Sequence, residues 1–170
     1  HAGWTPADHD GAVVPPIAQV STFRQDAVGR PREHEYSRVS NPTRQVLEDA
    51  VAELEHGAGG YAFASGMAAS DAVLRTLCRP GDHVVLPSDV YGSTYHLLAR
   101  VLVDWGVEHT VVPLDDPDAL AAAIRPGSTR AVWLESPSNP LLQVVDVAAV
   151  AEVAHDAGVL VVADNTFASP

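Results

Sequence analysis

Residues 159–167 read Val-Leu-Val-Val-Ala-Asp-Asn-Thr-Phe, an unbroken apolar run that stops on a carboxylate. A half-exposed strand alternates its polarity, whereas a strand covered on both faces has no polar side to show. Short runs of apolar character recur upstream at Arg130–Leu134, Glu108–Val112, His83–Leu86 and Tyr61–Ala64. Between these runs the spacing turns helical, with helices predicted to begin near Met67, Ser93, Pro117 and Asp146 and with Gly81, Gly106 and Gly158 near the ends of three of them. Strands apolar on both faces and separated by helices predict an α/β fold, a mostly parallel sheet with helices on both sides.

Further upstream the signals change. Asn41 is suited to an N-cap and Pro42 to a first helical turn, and Val46, Leu47, Ala50, Val51 and Leu54 repeat at helical spacing until Gly57. Residues 1–40 show no period and hold Pro6, Pro15, Pro16 and Pro31, which predicts an extended arm. No repeat, low-complexity tract or linker interrupts residues 41–170, so these read as one domain, or part of one, behind the arm. A start at His1 without methionine and a stop at Pro170 just after a strand read as a portion of something longer.

Composition excludes several classes. The 170 residues are 46% hydrophobic and 19% charged, enough apolar material for a core. A net charge of −12 without a basic cluster argues against a nucleic-acid partner. The apolar runs fall far short of the ~20 residues of a membrane span. A single cysteine, Cys78, forms no internal disulfide, which points to a reducing cytoplasm. The eight histidines make no H-x-H or H-E-x-x-H pattern, so no metal site is expected. All ten basic residues are arginine, so no side-chain amine is available for covalent chemistry.

In open α/β sheets ligands sit beyond the carboxyl ends of the strands. There the chain places Ser65-Gly66-Met67, then Ser88-Asp89-Val90-Tyr91-Gly92, Glu135-Ser136-Pro137-Ser138-Asn139-Pro140 and Asp164-Asn165-Thr166. Ser65-Gly66-Met67 opening a helix aims free N–H groups at an anion, although a plain cap and turn is the commoner meaning. With no G-x-G-x-x-G or P-loop present, a single short phosphate suits it better than a nucleotide. Asp164, closing a buried strand, must meet a cation, a donor or solvent, and an N-cap role serves equally on position alone. Tyr91 offers a flat ring to a ligand or to the core. Arg38 is a phosphate clamp or, more commonly, a surface arginine.

Taken in order, Tyr36-Ser37-Arg38, Asn41-Pro42-Thr43, Ala64-Ser65-Gly66-Met67-Ala68, Tyr91-Gly92, Glu135-Ser136-Pro137-Ser138-Asn139-Pro140 and Asp164-Asn165-Thr166-Phe167 resemble the Cys/Met-metabolism family of pyridoxal phosphate (PLP) enzymes. That resemblance, running from the Gly11–Phe23 arm to Pro170, implies the fold type I, aspartate aminotransferase-like large domain. It implies that the rest of that domain, the Schiff-base lysine and a C-terminal small domain follow Pro170. It further implies PLP as cofactor, an amino-acid substrate, and a homo-oligomer, a tetramer built from active dimers.

Residue by residue, the resemblance implies that Ser65, Gly66 and Met67 hold the cofactor phosphate, with Tyr36 and Arg38 reaching the phosphate of a neighbouring subunit. Tyr91 would stack on the ring and act near the substrate, Asn139 would lie by the ring hydroxyl and substrate, and Asp164, with Thr166 beside it, would pair with the ring nitrogen. Tyr91 and Asp164 are then the catalytic residues of this stretch. Glu35 resembles the acid that meets the distal ammonium in cystathionine-handling branches. The implied reaction is γ-elimination or γ-replacement on sulfur amino acids, of the cystathionine γ-synthase or γ-lyase type, with methionine γ-lyase or O-acylhomoserine sulfhydrylase as the alternative. Ser93 replaces the cysteine of methionine γ-lyases, and His96 the arginine usual in cystathionine enzymes. A non-catalytic piece, or a relative serving only assembly, is the remaining alternative.

Overall fold

A computed structural model describes residues 2–169, which divide into two compact units, one ending at Phe63 and the other spanning Ala64–Ser169. The first unit opens on a 3-10 turn at Pro6–Asp8 and carries isolated bridges pairing Thr22 with Tyr36 and Ala27 with Arg30. Its one α-helix, α1 (Pro42–Leu54), begins where the sequence predicts: Asn41 is extended and its side chain accepts the Thr43 N–H at 2.9 Å. The Asn41 amide in turn donates to the Ala18 carbonyl, tying the preceding chain to the helix start. Leu47, Val51 and Leu54, the apolar stripe of α1, are all exposed.

The second unit alternates helices and strands: α2 (Gly66–Leu77), β1 (His83–Pro87), α3 (Gly92–His96) running into a π-helical stretch (Leu97–Leu102), β2 (Glu108–Val112), α4 (Pro117–Ala123), β3 (Thr129–Glu135), α5 (Val147–Asp156) and β4 (Leu160–Asp164). The strands form one parallel sheet in the order β2-β1-β3-β4. Side-chain alternation along the inner strands explains the helices on both faces. Val84 and Leu86 of β1 and Trp133 of β3 pack with Leu74, Cys78, Leu98 and Leu102 of α2 and the α3 stretch. Val85, Val132 and Leu134 point the other way, into Leu120, Val150 and Ala154 of α4 and α5.

Two expectations are corrected. Tyr61–Ala64 is not a strand: it has no neighbour to ladder onto, its Ala62 N–H is taken by the Glu48 carboxylate, and Tyr61 is 84% exposed. Nor are all strands covered on both faces. The inner strands β1 and β3 are, but β2 and β4 lie at the edges of this sheet, with Glu108, Val111, Leu160 and Ala163 exposed. Among the described residues no helix is long and apolar enough to cross a membrane.

Helix starts are held by their caps. Asp146 accepts the N–H groups of Ala148 and Ala149 at 3.0 and 3.1 Å, closing the first turn of α5. Asp146→Ala in the full-length protein is expected to cost about 1 kcal/mol, read as a lower melting temperature with activity retained. An unchanged melting temperature would show that the cap is replaced by water at no cost.

Candidate functional site

The starts of α2 and α3 and the exits of β3 and β4 deliver their groups to the carboxyl edge of the sheet. At α2 the hydroxyl of Ser65 accepts the Ala68 N–H at 3.1 Å, and the Ser65 carbonyl accepts that of Ala69. The first N–H groups of a helix have no intrahelical acceptor, so those of Gly66 and Met67 point outward at the positive end of the dipole. A Cβ placed on Gly66 would meet nothing within 4 Å, so open space borders these N–H groups. The Ser70 hydroxyl bonds back to the Gly66 carbonyl at 3.0 Å and steadies this turn.

From β1 the chain passes through Asp89 to Tyr91, which stands at the N-cap of α3 and is 40% exposed. Its N–H donates to Glu135 Oε2 at 2.6 Å across 44 residues of sequence. Glu135 closes β3, is only 6% exposed, and accepts the Asn139 N–H on Oε1 at 3.1 Å. On the adjacent strand Asp164 pairs in register with Glu135, so the two carboxylates stand side by side. Asp164 accepts the Thr166 N–H at 3.2 Å and the Thr166 hydroxyl, closing a turn rather than capping a helix. The Asn165 amide reaches the Ser136 carbonyl and locks the two strand exits together.

These groups line one cavity of about 380 Å³. Ser65, Gly66, Met67, Tyr91, Asn139, Asp164 and Thr166 all border it. Glu35, Tyr36 and Arg38 belong to the first unit and are not among its lining residues. There Glu35 accepts the Gln25 amide at 3.2 Å, and the Arg38 guanidinium lies 4.5 Å from the Tyr36 ring centre. The lining also includes Glu135, Pro137 and Phe167, which the sequence reading quoted within motifs but gave no role, and Ser70 and Thr94, which it did not quote. Glu135 carried a usable signal, since it ends a buried apolar run just as Asp164 does. Thr94 carried none: it is fully buried, and its hydroxyl has no partner.

Electrostatically the cavity is polarised. One side has the bare N–H groups of α2, suited to an anion. The other has Glu135 and Asp164; Asp89, behind the lining, has its Oδ2 buried without a partner among the described residues. Burial pushes the Glu135 carboxyl above its ordinary pKa; the Tyr91 and Asn139 N–H groups pull it down, and Asp164 and Asp89 push it up.

A family model described as Cys/Met metabolism PLP-dependent enzyme matches residues 1–170. Cystathionine gamma-synthase of Mycobacterium tuberculosis (strain ATCC 25618 / H37Rv) is 52% identical over 171 residues, covering all of this chain and 44% of its own length. Cystathionine gamma-lyase of Bacillus subtilis (strain 168) is 49% identical over 170 residues with the same coverage. The crystal structure of cystathionine gamma-lyase from Lactobacillus plantarum complexed with L-serine superposes with a TM-score of 0.93 at 46% identity, over all of this chain and 44% of that one. The chain thus spans less than half the length of these relatives.

PLP has three demands: donors for a phosphate, a surface for a flat ring, and an anion for a protonated ring nitrogen. The free N–H groups of Gly66 and Met67, the Tyr91 ring and the Asp164 carboxylate answer them in turn around one cavity. Its volume falls in the range of roughly 300–1,000 Å³ usual for small-molecule sites. The residues present therefore fit the group.

Proposed function

The chain belongs to the Cys/Met-metabolism family of PLP-dependent enzymes, and from that premise we propose that the protein carries out γ-elimination or γ-replacement on sulfur amino acids, of the cystathionine γ-synthase or γ-lyase type. PLP is the cofactor of this family, and when bound it supplies an electron sink for the carbanion formed at the substrate Cα. The observation that carries the proposal is the convergence of the α2 N-terminus, Tyr91, Asn139 and Asp164 on one polarised cavity. The similarity to proteins named cystathionine gamma-synthase and cystathionine gamma-lyase supports the choice of substrate.

In this reading Gly66 and Met67 bind the phosphate through their N–H groups and Ser65 keeps that turn open by capping it. Asp164 pairs with the ring nitrogen, its carboxylate oriented by the Thr166 N–H it already accepts. Tyr91 orients the ring by stacking and, 40% exposed, also faces the substrate. Asn139 presents its amide to the ring hydroxyl and to the substrate. Tyr36 and Arg38 serve the phosphate of a neighbouring subunit, which makes a homo-oligomer part of the active site, and Glu35 meets the distal ammonium of cystathionine. All ten basic residues here are arginine, so the amine that anchors the cofactor belongs to a part of the protein outside these residues.

The test is an absorbance spectrum of the full-length protein with added PLP, followed by assays with cystathionine, with an O-acylhomoserine plus cysteine, and with methionine. A visible cofactor band with release of 2-oxobutanoate and cysteine, or with synthesis of cystathionine, is expected. Turnover of methionine alone would replace this substrate with that of a methionine γ-lyase. Absence of any band would reduce the likeness to one of fold.

A further inference from the structure

Resting on the reading of the cavity as a PLP site, we propose that Glu135 is a positioning residue: one buried carboxylate clamps two loops and so sets both the ring of Tyr91 and the amide of Asn139 against the cofactor. Both of its oxygens are committed, Oε2 to the Tyr91 N–H at 2.6 Å and Oε1 to the Asn139 N–H at 3.1 Å. The Tyr91 loop otherwise has only local backbone bonds, from Val90 N–H to the Pro87 carbonyl and from Tyr95 N–H to the Tyr91 carbonyl. Around Asn139 the bonds are also local, linking Ser138, Leu142 and Gln143. Glu135 is therefore the long-range tie between the exits of β1 and β3.

The residue type follows from the donors. The two backbone N–H groups arrive on separate oxygens, and a carboxylate offers an acceptor at both; glutamine would turn an NH2 toward one of them, and aspartate is one methylene short. The position is costly for an anion, since it is 6% exposed with Asp164 in register beside it and Asp89 close by. A fold in need of a strand end alone has no use for a third carboxylate here. Glu135 touches the loops and bears on the cofactor through Tyr91 and Asn139.

The test compares wild type, E135Q and E135D as full-length proteins, stripped of PLP and retitrated. Each is read for its PLP dissociation constant, its visible band with the pH at which that band changes, and the melting temperature of the stripped form. E135Q is expected to bind PLP about tenfold or more weakly, the scale of one hydrogen bond to a charged group. Its band should change at lower pH, because a negative charge has gone, while the stripped form melts near wild type. E135D should recover part of the affinity by retaining the charge. If the variants match wild type in affinity and in the band's pH response, or lose only melting temperature, the clamp is overturned while the cofactor reading stands. A wild-type protein that takes up no PLP overturns both. Should E135Q fail to fold, E135D decides: wild-type affinity overturns the clamp and weakened affinity supports it.

Discussion

Asp164→Asn in the full-length enzyme is expected to lower kcat/KM with cystathionine by about 10²–10³-fold, since removing one partner of a desolvated charge pair costs roughly 3–5 kcal/mol and Asp164 is only half-buried. Asparagine keeps the size and the acceptor for the Thr166 N–H, so the turn at the end of β4 survives and the melting temperature should move little. On the proposed reading, what is lost is the negative charge that would favour a protonated ring nitrogen, and with it the ring's capacity to draw electrons from Cα. The loss should fall mainly on kcat, because the phosphate donors at Gly66 and Met67 and the Tyr91 ring are untouched. Steady-state kinetics with a parallel melting curve separates the cases. Near-wild-type kcat would remove Asp164 from the chemistry, and a large fall in melting temperature would make it a structural carboxylate.

Why Asp164 could be singled out from sequence while Glu135 was passed over is a question of which interactions leave a local trace. Hydrophobic period reports burial, and it located β1 to β4 because each holds a short apolar stretch with a glycine or helix start near its border. It does not report partners. Tyr61–Ala64 has the composition of a strand, yet a strand requires a neighbour, and this segment spends its Ala62 N–H on a Glu48 side chain instead. The edge positions of β2 and β4 are likewise properties of strand order. At the site, Ser65-Gly66-Met67 and Asp164 are legible because a helix start and a charge at a strand end are visible within a few residues. The clamp of Glu135 on Tyr91 spans 44 residues, and nothing adjacent to either residue announces it. The roles assigned to Tyr91 and Asn139 came from the resemblance of ordered motifs, since a tyrosine before a glycine reads equally well as core.

At the opposite ends of the strands lies the largest expected effect on stability. His83 opens β1, is 1% exposed, and has its ring nitrogens 2.9 Å from the hydroxyls of Thr129 and Thr110, on the strands flanking it. Thr129 also accepts the Arg125 N–H at 2.7 Å, and the Arg125 guanidinium pairs with Glu108. Burial, with Arg125 nearby, lowers the His83 pKa from 6.5 to about 4, against a smaller opposing pull from Glu108. In the unfolded chain His83 titrates normally, so between those two values the unfolded state binds more protons than the folded one. Stability should therefore be full above pH 6.5 and fall as the pH drops towards 4, by roughly 3 kcal/mol in all. Burial lowers the pKa of His109 as well, which adds in the same direction. In His83→Gln an amide remains between the two threonines but cannot titrate. The variant should be less stable at neutral pH and lose stability less steeply from pH 6.5 to 4 than the wild type does. Denaturant unfolding of both full-length proteins across that window measures the difference; parallel curves would mean that His83 becomes protonated inside the fold at no cost.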